Sequence, residues 1–269
     1  MQLTDSQITD YHEKGYLLLP NLFSFEETQK LVEETASLKI KGSSDVIWEE
    51  DQTNVRAFMG CHLKNKFYKN LVQQSRILGS AKQLLESDAY VYQFKINVKA
   101  AFKGEIWPWH QDFIYWYELD GMPSSRCVNI SIFLDDCTEF NGPLWLIPES
   151  HNAGIIEAKS ASRENDDWTR DVSADLSFKL DADTISKLVS KGGLVSPKGK
   201  AGTVLFFHPN IAHASLPNIS PFERKILIVT YNSVENVPIA KASVRPWFLV
   251  NPDTTPEVET PTSLLSSVT

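Results

Sequence analysis

The stretch YVYQFKINVK (90–99) marks the point where the sequence changes from helical to strand-like character. β-Branched and aromatic residues dominate it, as is typical of strands. Four later stretches share this character: RCVNISIFLD (126–135), PLWLIP (143–148), GTVLFF (202–207) and RKILIVTYN (224–232). Loops containing NGP, KGG and NIS separate them. Because helices come first and strands later, the order argues against a βαβ sheet and favours an antiparallel sandwich or jelly roll.

Helical patterns occupy most of the chain before residue 89. Thr4 and Gly15 bracket a first short helix, which the apolar strand YLLLP follows. Ser24 and Glu27 form a capping box for a second helix, and a third is predicted from about Asn65 to Glu86. We therefore expect a single domain over residues 1–250, with helices in 1–88 and the β core in 89–250. Residues 152–200, which include a predicted helix at DADTISKLVSK, are expected to form an insertion, and the Pro-, Ser- and Thr-rich residues 251–269 are expected to be a flexible tail.

Composition narrows the class of protein. The chain has 269 residues, a net charge of −8 and an ordinary 42% of hydrophobic residues. The acidic balance argues against nucleic-acid or membrane partners, both of which need a clustered basic surface. Three cysteines without metal-site spacing are expected to be reduced thiols in a cytoplasmic protein. Whether the protein is a monomer or a homodimer stays open.

WPWHQDFIYW (107–116) places His110 and Asp112 among aromatic residues. On an extended strand, residues i and i+2 share one face, and this geometry suits two ligands of one metal ion. A dry aromatic shell would then control solvent access to the metal. A histidine–aspartate hydrogen bond that holds a loop explains the same pair, so H-x-D alone does not decide between the two readings.

A third ligand would have to come from another histidine. His12, His62 and His151 are expected to be structural or surface residues. His208 and His213, in GTVLFFHPNIAHAS, are the candidates, and spacing does not choose between them.

Two cations stand at the ends of apolar strands. Arg224 opens RKILIVTYN, where a planar guanidinium suits bidentate binding of a carboxylate. Lys99 ends the strand at 90–99, and its ammonium group is explained as readily by extension toward solvent. Two histidines and one carboxylate beside such an arginine fit the facial triad of non-haem Fe(II) oxygenases better than a zinc site.

The sequence resembles the phytanoyl-CoA dioxygenase superfamily of Fe(II)/2-oxoglutarate oxygenases, in the branch of ectoine hydroxylase and free amino-acid hydroxylases. The matching stretches are YQFKINVKAAFKG, WHQDFIYWYELDGMP, NGPLWLIPESH, HASLPNISPFERK and VTYNSVEN. This resemblance implies a double-stranded β-helix of the cupin type, with the N-terminal helices packed on one sheet. It also implies Fe(II), 2-oxoglutarate and O₂ as cofactor and co-substrates, with ascorbate in support.

The resemblance assigns residue roles that spacing leaves open. It implies His213 as the distal metal ligand beside His110 and Asp112. It implies Arg224 and Ser215 as partners of the distal carboxylate of 2-oxoglutarate. The remaining implied co-substrate residues are Lys99, Gln93 and, more weakly, Asn97.

The substrate is harder to deduce. Relatives that chlorinate lack the metal carboxylate, so Asp112 favours hydroxylation. Phe113, Tyr115, Trp116 and Trp145 are expected to line a pocket that suits an aliphatic side chain. We therefore predict a hydroxylase of a free small aliphatic amino acid. The first-choice reaction is hydroxylation of L-leucine at C5, which would supply a precursor for nonribosomal peptides. Ectoine, other amino acids and natural-product intermediates are alternatives, and a non-catalytic binding module and a zinc hydrolase are the alternatives from other classes.

Overall fold

The computed structural model describes residues 2–38, 43–157, 159–160, 168–239, 245–260 and 264–266. Its helices are α1 (Asp5–Lys14), α2 (Phe25–Ala36), α3 (Lys66–Val72), α4 (Leu78–Leu85), α5 (Phe113–Tyr115) and α6 (Ala182–Gly192). Its strands are β1 (Tyr16–Leu19), β2 (Val46–Trp48), β3 (Val55–Met59), β4 (Ala89–Lys99), β5 (Trp107–His110), β6 (Cys127–Phe133), β7 (Leu144–Leu146), β8 (Lys159–Ser160), β9 (Phe178–Lys179), β10 (Val204–Phe207), β11 (His213–Ser215) and β12 (Arg224–Ser233). A π-helical turn, Trp116–Asp120, continues α5, and short 3₁₀ turns lie at Cys61–Leu63, Ser150–Ala153, Trp168–Val172 and Leu264–Ser266. Within these ranges, no helix has the length and apolar character needed to cross a membrane.

Two antiparallel sheets face each other across a cavity. The larger sheet has the strand order β1-β10-β6-β12-β4-β3-β2, and the smaller has the order β5-β11-β7. Side chains from β4 and β12 in the larger sheet and from β5, β7 and β11 in the smaller sheet line the space between them. This arrangement is the jelly roll that the order of helices and strands predicts.

Strand alternation divides the larger sheet into an apolar face and a polar face. On β4, Phe94 and Ile96 join the core that packs against the N-terminal helices, whereas Gln93, Lys95 and Asn97 face the cavity. Successive side chains of a strand point to opposite faces, so one strand serves both surfaces. The helices therefore pack on one sheet, as expected, and leave the opposite face for the site.

The first helix begins and ends, and the second helix begins, where the sequence predicts. Thr4 and Gln7 form a capping box at the start of α1, which ends at Gly15 with φ 79°. Ser24 and Glu27 form the same motif at the start of α2. Each box satisfies backbone N–H groups that the first turn of a helix otherwise leaves unpaired.

The single helix predicted from Asn65 to Glu86 is wrong, because α3 and α4 are separated by a turn. At this turn the Ile77 N–H donates to the Gln74 carbonyl at 3.0 Å instead of continuing the α-helical pattern. The Gln73 carbonyl accepts from the Thr260 N–H at 2.9 Å. A hydrogen bond from a residue distant in sequence thus satisfies a backbone carbonyl between α3 and α4.

The prediction of a flexible tail is also wrong for residues 251–260, which pack along β4 and α3. Asn251 donates from Nδ2 to the Val91 carbonyl at 2.7 Å. Glu257 is buried, pairs with Lys69 Nζ at 2.5 Å and donates its N–H to the Ala89 carbonyl. A few such anchors order a segment whose composition alone indicates flexibility. Residues 261–263 and 267–269 lie outside the described residues, and the other domain boundaries stay predictions.

Candidate active site

The pairing of β5 with β11 brings two histidines together. His110 and His213 are direct partners in the antiparallel register, and their ring centroids are 4.2 Å apart. The Nε2 atoms of His110 and His213 lie 3.7 and 3.9 Å from the Asp112 carboxylate oxygens. One ligand atom from each of the three buried residues lies within 4.8 Å of the others, which is the spacing of a metal site.

His110 and Asp112 do not share a strand face, contrary to the prediction. β5 ends at His110, and Asp112 has helical backbone angles (φ −70°, ψ −39°) just before α5. The turn between them is held by Gln111, whose Nε2 donates to the carbonyls of Gly154 and Asn210 at 2.8 and 2.5 Å. The carboxylate reaches the histidines because the chain turns there, and not because the strand continues.

Hydrogen bonds orient each metal-facing group. The Nδ1 atoms of His110 and His213 lie 2.6 and 3.0 Å from the carbonyls of Pro108 and Ile211. A carbonyl only accepts, so each Nδ1 carries the proton and each Nε2 keeps its lone pair for a metal. Asp112 accepts from Asn129 Nδ2 at 2.8 Å, and Asn129 accepts from Thr230 Oγ1 at 2.6 Å. Such outer partners hold ligand side chains in place.

Electrostatics keep Asp112 and His213 in their metal-binding protonation states. Burial alone would raise the pKa of Asp112, but Lys95 and the two histidines together bring it below its usual range. Burial, with a smaller effect of His110, lowers the pKa of His213 to about 4. A carboxylate and a neutral imidazole are the forms that coordinate metal, and both are present at neutral pH.

Arg224 and Ser215 line the same cavity with polar atoms that lack protein partners. Nε and Nη1 of Arg224, which is 1% exposed, have no hydrogen-bond partner among the described residues. The Ser215 hydroxyl is likewise unpartnered there. Burial lowers the pKa of Arg224. An unpaired buried cation is costly, so this end of the cavity suits an anionic ligand.

The three remaining predicted co-substrate residues have different positions. Lys99 donates from Nζ to the Glu105 carbonyl and does not line the cavity, so its predicted contact there is wrong in this structure. Burial, followed by the charge of Arg224, lowers the Lys99 pKa to about 6. Gln93 lines the cavity, although its Nε2 donates to the Leu249 carbonyl at 2.8 Å. Asn97 also lines it, with an unpartnered Oδ1.

Two of the four predicted pocket aromatics reach the cavity. Tyr115 and Trp116 line it. Trp145 does not, because it is the middle residue of β7 and points away from the face on which Leu144 meets the cavity. Phe113 packs against Tyr117 instead, with ring centroids 6.0 Å apart. The other histidine candidate, His208, packs beside His151 with ring centroids 5.0 Å apart, away from the cavity.

Sequence reasoning missed a charged cluster that lines the same cavity. Arg245 Nε donates to Asp120 Oδ1 at 2.8 Å, and Nη2 donates to Oδ2. The Tyr92 hydroxyl also donates to Oδ2 of Asp120. Arg245 Nη1 lies 3.8 Å from Asp171 Oδ2, and Arg245 and Asp171 both line the cavity. The available signal was an acidic residue inside the aromatic run of WYELDGMP, but no local pattern indicates Arg245.

Two facing sheets that hold two imidazoles, a carboxylate and an unpaired arginine define a non-haem Fe(II) oxygenase of the 2-oxoglutarate-dependent class. The sequence matches the phytanoyl-CoA dioxygenase (PhyH) family over residues 11–226, and the chain belongs to this family. The donor set of two histidines and one carboxylate fits Fe(II), and the unpartnered arginine fits the carboxylate of 2-oxoglutarate. The protein is an Fe(II)- and 2-oxoglutarate-dependent dioxygenase.

Individual relatives support the same class. The chain is 41% identical to an L-proline trans-4-hydroxylase of Streptomyces griseoviridis over 258 residues, which is 95% of each protein. It is 37% identical to an ectoine dioxygenase of Bordetella bronchiseptica, covering 87% of this chain and 77% of the relative. The crystal structure of EctD from S. alaskensis with 2-oxoglutarate and 5-hydroxyectoine is similar at a TM-score of 0.79 and 29% identity, covering 95% of this chain and 86% of that one.

Proposed function

We propose that the protein hydroxylates a free cyclic amino acid, with L-proline as the first candidate substrate. The observation that carries this proposal is one cavity lined by the triad, by the Arg224 guanidinium with its unpartnered nitrogen atoms, and by a second guanidinium, that of Arg245. This arrangement provides separate places for a metal, a dicarboxylate and a second carboxylate. Similarity to a proline hydroxylase over 95% of both chains supports the choice of substrate.

His110, Asp112 and His213 are proposed to bind Fe(II) through two Nε2 atoms and one carboxylate oxygen. Iron and 2-oxoglutarate, when bound, supply the activation of O₂ for hydroxylation of an unactivated C–H bond, with succinate and CO₂ as co-products. Arg224 and Ser215 bind the distal carboxylate of 2-oxoglutarate, which provides the partner that the buried guanidinium lacks. Asn97 and Gln93 complete the polar wall beside it.

Arg245 is proposed to bind the substrate carboxylate through Nη1. Asp120 engages Nε and Nη2, so the guanidinium is fixed in orientation before a substrate arrives. Trp107, Tyr115 and Trp116 contribute aromatic surface to the wall of the same cavity. A small ring presents a rigid apolar edge to such a wall and loses little conformational freedom on binding.

L-Leucine and ectoine are the alternatives on the same mechanism. Leucine, the first choice from sequence, has no support among the relatives described, which act on proline or ectoine. Ectoine has the support of the second relative and of the EctD structure, although the chain covers less of both than of the proline hydroxylase. The three compounds differ in ring and charge, so a direct comparison separates them.

The test is coupled turnover. The protein is loaded anaerobically with Fe(II), mixed with 2-oxoglutarate and ascorbate, and exposed to air with L-proline, ectoine or L-leucine. We expect succinate and a product that gains one oxygen atom from L-proline and co-elutes with trans-4-hydroxyproline. Turnover of ectoine or leucine in place of proline would overturn the substrate proposal, and failure to bind 2-oxoglutarate would overturn the site assignment.

A further inference from the structure

We infer that Arg56 is a positioning residue, which holds the 3₁₀ turn Trp168–Val172 against the cavity and thereby sets substrate affinity and the coupling of O₂ activation to hydroxylation. The inference deepens the proposed function and rests on it for the choice of substrate. Arg56 lies on β3 and is 1% exposed. Ala57, the next residue of the strand, lines the cavity, whereas the Arg56 side chain points to the other face.

Arg56 joins segments that lie far apart in the sequence. Its Nε donates to the Val172 carbonyl at 3.0 Å, and its Nη2 donates to the Ile106 carbonyl at 3.0 Å. Its Nη1 donates to Glu49 Oε2 at 2.8 Å and to Glu105 Oε2 at 3.2 Å. A planar guanidinium presents its donors in a fixed fork, so β3, the segment before β5 and the 3₁₀ turn are held in fixed relative positions.

The segments that Arg56 holds form part of the cavity wall. Val172 is buried, belongs to one apolar cluster with Met59 and Leu249, and lines the cavity with them. The Arg56 guanidinium also lies 3.9 Å from the centroid of the Trp107 ring, which lines the cavity too. A substrate that rests on this wall moves when the wall moves, and a misplacement of about 1 Å can cost about 100-fold in rate.

Val172 also separates the cavity from a second pocket. It lines both, and the second pocket reaches the surface at Glu50 and Gln52, which are exposed. Movement of Val172 would therefore connect the cavity with solvent, and the exclusion of water from the reacting groups would be lost. The hydrogen bond from Arg56 to the Val172 carbonyl opposes this movement.

The chain offers a matched control at Arg76. Its Nη1 donates to the Leu22 carbonyl at 3.1 Å and to Glu27 Oε2 at 2.9 Å, and its guanidinium lies 4.0 Å from the centroid of the Phe23 ring. Arg76 thus combines a carboxylate, a carbonyl and an aromatic ring as Arg56 does, but none of these partners lines the cavity. Arg56→Lys and Arg76→Lys both keep the positive charge, whereas an ammonium group does not reproduce the fork.

Two kinds of measurement test the inference. Hydrogen exchange of the backbone in residues 168–178 reports on the contact with Val172 and needs no substrate. Titration calorimetry of proline with the anaerobic Fe(II)–2-oxoglutarate protein, KM in air and the ratio of succinate to hydroxylated product report on the consequence. O₂ activation that is not followed by hydroxylation consumes 2-oxoglutarate and ascorbate without product, so a displaced wall raises this ratio.

We expect faster exchange in Arg56→Lys, proline affinity about 10-fold weaker, KM about 10-fold higher, and a ratio that rises from about one to about two or more. Affinity for 2-oxoglutarate should change less than about threefold, because Arg224 and Ser215 are untouched. Arg76→Lys should lose a similar amount of stability in urea and leave these quantities unchanged. Unchanged exchange in Arg56→Lys, unchanged KM and ratio, or equal changes in the two variants would overturn the positioning role.

Failure of the proposed function is a separate result. If the wild type does not accept proline, the substrate proposal fails, and the two variants are compared on whichever of ectoine and leucine it accepts. If it accepts none of the three, faster exchange in Arg56→Lys alone would still support the role of Arg56, and equal exchange in both variants would overturn it.

Discussion

The two arginines of the cavity are built in opposite ways. Arg224 lies at the start of a sheet strand, and its Nε and Nη1 have no partner among the described residues. Arg245 lies beyond the last strand and is held by Asp120 through two nitrogen atoms. Arg224 is therefore open to a ligand that binds and dissociates, whereas Arg245 is already paired and offers only its Nη1 atom. A buried cation can therefore bind a ligand with or without a partner in the protein. The two arrangements predict different changes in the free energy of unfolding when the arginine is replaced.

The largest expected effect comes from removing a ligand of the metal triad. Asp112→Ala removes the carboxylate of the triad, and we expect coupled succinate formation to fall to background. The fold should persist, because Asn129 then loses only one of its partners. Circular dichroism and turnover with proline check this, with Asp112→Glu as the variant that keeps the charge. Substantial turnover by Asp112→Ala would contradict the assignment.

Arg245→Met tests the paired arginine. It leaves Asp120 buried without its cation, and breaking such a pair costs about 3–5 kcal/mol. We expect the free energy of unfolding to fall by that amount in urea titrations and proline binding to be lost. Arg126→Met is the control, because Arg126 pairs with Glu235 at the exposed surface. Equal stability in the two variants would show that the buried pair is not structural.

Arg224→Met tests the unpaired arginine. No described carboxylate forms an ion pair with Arg224, and the nearest acidic influence, Asp135, is already paired with Lys225, so the free energy of unfolding should stay equal or rise. Affinity for 2-oxoglutarate should fall by about 1.5–3 kcal/mol, or roughly 10- to 150-fold, because a charge-assisted contact is lost. Titration calorimetry with 2-oxoglutarate and urea unfolding measure the two quantities. A large loss of stability here would remove the contrast with Arg245.

Thr230→Val tests the hydrogen bond that positions Asn129 beside the metal ligand Asp112. The side chains are almost equal in size, so the change removes the hydroxyl that donates to Asn129. We expect Fe(II) affinity to fall about 10-fold, at the low end of the effect of changing an outer partner of a metal ligand. Titration of the apoprotein with Fe(II) under anaerobic conditions measures this change. An unchanged affinity would show that Asn129 holds Asp112 without help.

The smallest effect on activity is expected at Lys99, which lies outside the cavity. Its pKa falls from 10.5 in the unfolded chain to about 6 in the folded protein. Between these values the unfolded state binds more protons, so stability rises with pH, and Lys99→Met should flatten this rise. Unfolding at several pH values from about 6.5 to 9 measures the slope. Affinity for 2-oxoglutarate should change less than about threefold, because no charged contact to it is removed.

How well each feature could be predicted depends on how far apart in the sequence its contacting residues lie. The strands β1, β4, β6, β7, β10 and β12, the first two caps, the H-x-D motif and Arg224 belong to local patterns, and each could be predicted from sequence, whereas His213 needed the family resemblance as well. The short strands β2, β3 and β11 were not predicted. The partnership of Asp120 with Arg245 joins residues 125 positions apart and leaves no local pattern. Trp145 was misassigned because a strand of three residues is too short to show which face is buried. The segment 251–260 was misread because a few anchoring contacts outweigh its composition.

The Asp120–Arg245 pair also has a consequence for how substrate preference changes during evolution. A mutation of either partner exposes the other to the cost of an unpaired buried charge, so the two positions are expected to change together or not at all. Related enzymes that acquire new substrates should therefore keep both residues of this pair or replace both, while the metal-binding histidines on β5 and β11 are inherited unchanged.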